Sequence, residues 1–369
     1  MIASSDAMTI LASASRRAAP IFSICIPQYN RSSFLLEACK SLVTQRFPFF
    51  ELCISDDRST DGREDELISF LRASELDFTY ARQKANRRYD GNLRGAIALA
   101  RGEFVFLLGN DDRLAGPRTL ENVHEQLRQA APVHVAITNY REIGTGRAFQ
   151  RVSRSGKLGS GPSAAVHAFR NFSFVSGIIF DAECAKRWST WKWDGSEMYQ
   201  MYLGCRILAA GGTLLGISEV CIEKDIQITG ESVDSYASVR IAKRDFSPVV
   251  LPMSKISPLV IDAVAPYVSR SSLENTATRI GAQLLLFTYA FWIIELRRVQ
   301  SWKYAVSVYR GLGPKRILEG LRIAWPKRSL IAFLYAIVGL GGLTMPVGLF
   351  RRLQPLLYRL AKRSNPAWT

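Results

Sequence analysis

Between positions 21 and 139 the chain alternates short apolar runs with polar turns and helix-spaced stretches. Residues 21–27 form an apolar run of strand length that stops at the polar turn 28–33. Over 33–45 the apolar positions Leu35, Cys39, Leu42 and Val43 recur at helical spacing. Residues 50–55 read as a second buried strand, ended by Asp56-Asp57-Arg58-Ser59-Thr60-Asp61-Gly62, a strong turn and helix-start signal. The pattern then predicts a helix over 64–73, a strand over 78–82, a helix over 92–100 and a strand over 104–108. A helix over 117–129 and a fifth strand over 133–139 follow. This alternation predicts an α/β fold: a mainly parallel sheet with helices on both faces. Right-handed crossovers place the polar strand ends after Ile26, Ile54 and Leu108 along one edge.

The pattern changes downstream. Residues 144–162 are polar and Gly-rich and read as a loop, and 172–180 resume β character around Gly177. An aromatic, acidic loop at 191–197 leads into a helix over 198–210, stopped by Gly211-Gly212, and a late strand over 214–222. The polar loop 227–236 has the character of a lid. Residues 280–296 are strongly apolar, and 329–350 contain no charged residue over 22 positions, enough to span a bilayer or to lie on one as a broken hairpin. Between them, 302–325 mix aromatics with Lys303, Arg310, Lys315, Arg316 and Arg322, which suits a helix at a lipid headgroup layer. A buried helical subdomain is the competing reading.

Charge sharpens this division. The net charge is +16, but residues 271–369 carry 15 Lys/Arg and 3 Asp/Glu, net +12, leaving only +4 on the first 270. A segregated basic tail points to an anionic membrane surface and away from a nucleic-acid binder. Nothing in the pattern decides between a monomer and an oligomer. The six cysteines form no CxxC pair; Cys25, Cys39 and Cys53 sit among apolar neighbours as core thiols. Residues 1–20 lack a signal-peptide pattern and read as a flexible leader. The expected organisation is a leader over 1–20, an α/β domain over 21–250 and a basic, apolar helical region over 251–369.

The candidate chemistry lies at the strand ends. The apolar run 104–108 is cut off by Gly109-Asn110-Asp111-Asp112. Unpaired carboxylates at the end of a buried strand are too costly to enclose, so they meet water, a cation or a polar ligand. In open α/β sheets ligands bind at this place. Asp111 and Asp112 therefore read as a site for a hard cation carrying a phosphate, with a helix-capping turn as the alternative.

Three motifs now share one sheet edge: Pro27-Gln28-Tyr29-Asn30-Arg31, Asp56–Gly62 and Gly109–Asp112. In order, spacing and strand context the chain resembles the family 2 glycosyltransferases, which have the GT-A fold, over about 22–112 and more loosely to 222. The resemblance implies a nucleotide-sugar-binding half over 21–140 and an acceptor half over 141–250. It implies that Asp57 accepts a hydrogen bond from the base imide, that Pro27 and Tyr29 form the wall beside the base, and that Gln28 and Asn30 also bind the nucleotide sugar. Asp111 would lie near the ribose, and Asp112, with Asn110, would hold Mn²⁺ or Mg²⁺ on the diphosphate. Asn92 would contact the nucleotide, with ordinary helix capping as its other reading. Where relatives carry the first Asp of D-x-D, this chain has Gly109 or Asn110.

Inverting transfer also needs a carboxylate base. Glu197 is the first choice and Asp194 the second; helix capping by Asp194 or Ser196 is the alternative. Spacing from Gly211-Gly212 lands nearer Tyr199-Gln200. The resemblance implies a nucleotide-diphosphate sugar donor, UDP-linked, a saccharide or lipid-linked acceptor of surface polysaccharide, and action at the cytoplasmic face of a bacterial inner membrane. Two rivals remain at this stage. A nucleotidyltransferase would carry a Gly-rich phosphate loop after the first strand, which 28–33 lacks. The other is a catalytically inactive, membrane-docking sugar-nucleotide module.

Overall fold

The computed structural model describes residues 7–13, 19–233 and 247–363. The chain forms two compact units, Met1–Val233 and Asp234–Thr369.

The first unit runs β1 (Ala7–Ala12), β2 (Phe22–Gln28), α1 (Ser32–Val43), β3 (Phe50–Asp56), α2 (Glu64–Ala73), β4 (Phe78–Gln83), α3 (Arg88–Leu99) and β5 (Phe104–Leu107). It continues through β6 (Arg113–Leu114), α4 (Thr119–Ala130), β7 (Val135–Glu142), β8 (Ala148–Phe149), β9 (Gly156–Ser160) and α5 (Gly161–Ala168). It ends with β10 (Ile178–Asp181), α6 (Ala182–Arg187), α7 (Tyr199–Ala209) and β11 (Thr213–Lys224).

All strands join one sheet of order β1-β4-β3-β2-β5-β10-β7-β11-β6, with β8 on β7 and β9 on β11. The block β4-β3-β2-β5 is parallel, as expected. Beyond it the sheet is mixed: β10 inserts antiparallel between β5 and β7. Strand periodicity explains the two layers. Phe22, Ile24 and Ile26 point to one face, with Leu35, Leu42, Leu71, Val123 and Leu127 in the same core. Ser23 and Cys25 point to the other, where the Cys25 thiol meets the Ala96 carbonyl on α3. Gly95 permits this approach: a Cβ there would stand 2.6 Å from Ser55 Oγ. The cysteines at 25, 39 and 53 are buried free thiols.

Three expectations are revised. Residues 7–12, inside the stretch read as a leader, pair antiparallel with β4 at the sheet edge. The Gly-rich stretch 144–162 is not wholly loop; it holds β8, β9 and the start of α5. Helix α3 begins at Arg88 and not at Asn92. Its first turn is polar, Arg-Tyr-Asp-Gly, so it carries no apolar period.

The second unit is helical: α8 (Ile256–Val264), α9 (Arg270–Leu284), a π-helical turn (Leu285–Tyr289), α10 (Ala290–Val299), α11 (Trp302–Gly311), α12 (Pro314–Ile317), α13 (Trp325–Thr344) and α14 (Val347–Arg363). The apolar run 280–296 supplies its core through Ile280, Leu284, Leu285, Tyr289, Ile293 and Ile294, all buried. Arg270–Val299 and Trp325–Thr344 are long and apolar enough to cross a membrane by length and composition alone.

Candidate active site

The site is assembled around Gln28, the last residue of β2, whose side chain is fully buried. Its backbone carbonyl accepts the Asp57 N–H at 2.8 Å and the Asn92 side-chain amide at 2.8 Å. Its Oε1 accepts from Asn110 Nδ2 at 2.7 Å, and its Nε2 donates to the Asn30 carbonyl and Ser32 Oγ. One residue therefore ties the ends of β2, β3, α3 and β5 together. Every polar group of Gln28 so engaged makes it a positioning residue and not the ligand contact expected. Asn92 is corrected likewise: it is buried one turn inside α3, caps nothing, and holds Gln28.

The first two turns are zipped to each other. Asn30 N–H donates to Ser59 Oγ at 2.7 Å, Thr60 N–H donates to Asn30 Oδ1 at 2.7 Å, and Ser32 N–H donates to Asp61 Oδ2 at 2.8 Å. Asp61 thus satisfies the N-terminus of α1, not that of the helix after it. Asn30 and Arg31 both take left-handed backbone, with φ of 51° and 58°. That strain is held by the cross-turn bonds. Tyr29 stays 47% exposed, so its ring is open to a ligand. Asp57 is buried, and its Oδ1 accepts the Arg87 N–H at 2.5 Å, so it also anchors the start of α3. Burial raises its carboxyl above the usual range, against the opposing backbone N–H groups of Arg87 and Arg88.

The third turn separates two carboxylates. Asp112 is 2% exposed; Ser176 Oγ donates to its Oδ2 and the Asp225 N–H to its Oδ1. Burial first, and then the adjacent Asp111 charge, push its carboxyl up to about 7. Asp111 is less enclosed. Its carboxylate lies 3.5 Å from Arg31 Nη1, with both side chains partly exposed. Burial raises its carboxyl, and Arg31 opposes the shift. The expectation placed Asp112 on the metal and Asp111 near the ribose. A cation needs a lone pair open to the cleft, and Asp111 offers one where Asp112 is enclosed. Gly177 packs on β7: a Cβ there would stand 2.2 Å from Thr138 Oγ1.

Hard oxygen donors remain available for Mg²⁺ or Mn²⁺: Asp111, and the Asn110 carbonyl oxygen left over when its amide binds Gln28. Among the described residues no three His, Cys, Asp or Glu side chains converge as a metal cage. One or two protein oxygens fit a cation whose other ligands are phosphate and water. Asp225, a third carboxylate that raises both Asp111 and Asp112, was not singled out by the sequence; it comes from a loop 113 residues away.

Arg31 brings positive charge to the third turn. Its guanidinium stacks on Phe34 at 4.1 Å, while Nε and Nη2 are buried without a protein partner. A diphosphate is the natural acceptor for such a fork. The loop following β11 is held above α1 by Ser33 Oγ donating to Glu231 at 2.8 Å. Asp234–Tyr236, the rest of the expected lid, lie outside the described residues.

On the acceptor side the structure separates the two proposed bases. Arg94 grips Asp194 with both oxygens at 2.7 Å, and also donates to the Thr190 carbonyl. Asp194 is therefore a strut. Glu197 is half-buried with φ of 56°. Asp90, fully buried, accepts N–H bonds from Ser196, Glu197 and Tyr199 at 2.8, 2.9 and 3.1 Å. Its carboxyl is raised by burial, against those three donors. Gln200, where spacing from the glycine pair points, is buried between Tyr89 Oη and the Phe172 carbonyl. Asp90 escaped the sequence reading, since nothing local marks a contact across 106 residues.

A parallel block with three polar turns at its carboxyl edge, extended by a mixed block, is the frame of the GT-A fold. Residues 23–184 match Glycosyl transferase family 2. The abequosyltransferase RfbV of Salmonella typhimurium is 36% identical over 97 residues, 26% of this chain and 29% of that protein. The GalNAc(5)-diNAcBac-PP-undecaprenol beta-1,3-glucosyltransferase of Campylobacter jejuni is 30% identical over 95 residues, 26% of this chain and 31% of that protein. The aligned stretch thus spans about three tenths of each of these curated relatives. The S. aureus TarS 1-349 structure shares the fold, with a TM-score of 0.59 at 13% identity over 90% of this chain and 91% of that one. A second TarS 1-349 structure, in complex with UDP-GlcNAc, also gives 0.59 at 14% identity, again over 90% and 91%.

Proposed function

We propose that this chain is an inverting glycosyltransferase that moves a sugar from a nucleotide-diphosphate sugar, UDP-linked, to a saccharide acceptor, free or lipid-linked, of a bacterial surface polysaccharide. The observation that carries this is the Gln28 hub, which brings Asp57, Arg31 and Asp111 to one sheet edge. The Salmonella, Campylobacter and TarS likenesses support it: the first two are named sugar transferases, the Campylobacter name specifies a PP-undecaprenol-linked acceptor, and TarS was solved with UDP-GlcNAc.

In this reading Asp57, an acceptor-only group when ionised, takes the imide N–H of the base, and the open Tyr29 ring lies against it. The buried Nε and Nη2 of Arg31 bind diphosphate oxygens. Asp111 and Asn110 hold a divalent cation, which neutralises charge on the departing diphosphate when bound. Glu197 takes the acceptor hydroxyl's proton as that oxygen bonds to the anomeric carbon and the bond to the diphosphate breaks, inverting the centre. Asp90 fixes the turn that presents Glu197.

A donor-binding module without transfer is the second reading, favoured by Asp194 being locked on Arg94 and by Gln200 standing where spacing points. One experiment separates them. The protein is incubated with a panel of nucleotide sugars and saccharide acceptors, and free nucleotide and glycosylated product are measured with Mn²⁺ or with EDTA. Cation-dependent product formation with one donor supports the transferase. Saturable nucleotide binding without product across the panel supports the module.

A further inference from the structure

The helical unit presents one surface that its own packing leaves without a polar coat. In α13 the inner positions Ile331, Val338, Gly339 and Gly342 are buried. They pack closely: a Cβ on Gly342 would stand 2.8 Å from Ile293, and Tyr335 stacks on Tyr309 at 4.2 Å. The opposite face carries Leu330, Phe333, Ile337 and Leu340, spaced three, four and three residues apart and 45–68% exposed. A helix on a soluble surface puts polar residues there. This one has apolar groups on both faces, and no charged residue stands between Arg328 and Arg351.

The rim has a definite chemistry. Trp325, 78% exposed, stands at the start of α13. Trp302, 51% exposed, stands at its end, where its indole N–H donates to the Leu343 carbonyl. Exposed Arg328 flanks the first end and exposed Arg351 and Arg352 the second. On α14, Leu349 and Leu356 are exposed at seven-residue spacing with Arg352 between them. Apolar centre, tryptophans at the border and arginines outside them complement a bilayer with anionic headgroups.

We propose that the exposed face of α13, continued by Leu349, Arg352 and Leu356 of α14, docks flat on an anionic lipid bilayer without crossing it. This rests on the second unit alone and stands whether or not the transferase reading does. The neighbours of α13 decide against a span. Its inner face is covered by α10 and α11, which carry Glu295, Arg298 and Lys303 at the surface. Crossing would carry those charges into hydrocarbon with the helix. Lying flat sinks only the apolar face.

The test uses the full chain and sedimentation with vesicles of neutral phosphatidylcholine or of phosphatidylcholine mixed with phosphatidylglycerol. Wild type binds the mixed vesicles and is extracted from them by alkaline carbonate. Phe333→Asp with Leu340→Asp loses that binding while its thermal transition stays unchanged, both sites being exposed. Arg351→Ala with Arg352→Ala weakens binding to mixed vesicles by about 30-fold and leaves neutral vesicles unaffected. Wild type that ignores mixed vesicles overturns the proposal, as does a double-Asp variant that binds like wild type. Carbonate-resistant protein overturns it in favour of a span. A wild-type dimer that the double-Asp variant splits, with no vesicle binding, overturns it in favour of a second copy as the occupant.

Discussion

Asp90→Ala removes one carboxylate and orphans three backbone donors at once. Asp90 is 1% exposed and holds the N–H groups of Ser196, Glu197 and Tyr199. Ser196 and Tyr199 are themselves fully buried, so water cannot replace the lost acceptor there, whereas Glu197 is half-buried and its N–H can be rehydrated. Two buried donors left unmet cost about 1–3 kcal/mol each. Part of that is returned, because the carboxylate no longer has to be desolvated. A net loss of roughly 3 kcal/mol follows. Asp90→Asn keeps a carbonyl acceptor but turns an NH₂ towards N–H donors, so it loses less than Ala. Urea unfolding of the first unit, followed by near-ultraviolet dichroism, measures both. In the folded Asp90→Ala protein UDP binding persists while sugar transfer falls, since the disturbed turn carries Glu197 and not Asp57. An Asp90→Ala loss below about 1 kcal/mol would refute the clamp.

Four further outcomes follow from the site. Asp57→Ala weakens nucleotide binding with the fold retained, measured by calorimetry with UDP. In the wild type, burial makes Asp57 hold its proton more tightly than an unfolded Asp. Folding stability at this residue therefore falls as pH rises through its raised pKa, and UDP affinity falls as pH drops through it, beginning above 3.8; affinity flat down to that value contradicts the assignment. Asp112→Ala costs about 2–4 kcal/mol by denaturation, because the Ser176 hydroxyl and Asp225 N–H lose their acceptor, whereas the half-open Asp111→Ala costs less than about 1 kcal/mol and instead removes the Mn²⁺ dependence of nucleotide release. Glu197→Gln leaves UDP binding intact and stops transfer; unchanged transfer moves the base elsewhere.

The sequence made the parallel block and its edge legible because both are written locally. Runs such as 22–26 and 104–107 are buried on both faces and stop abruptly at polar turns, so strand, end and chemistry share one short window. The division of labour inside those turns was hidden. Asp111 and Asp112 are neighbours of the same type, and only pairing with Ser176 and Asp225, 64 and 113 residues away, encloses one and leaves the other open. Gln28 looked like part of a ligand wall because its partners, Asn92 and Asn110, lie 64 and 82 residues off. Strand β1 was missed for another reason. Its short Ala-Met-Thr-Ile-Leu-Ala run carries no clear alternation and is set by the open edge of β4.

That edge strand also governs how the molecule can be cut. Residues 7–12 cover the free backbone amides and carbonyls of Phe78–Gln83. A shortened form starting at Pro20 would leave a bare row of hydrogen-bonding groups along β4, the template on which chains stack into precipitate. Trimming what looks like a dispensable tail would therefore trade solubility for nothing, even though it removes no residue of the three turns at the sheet edge.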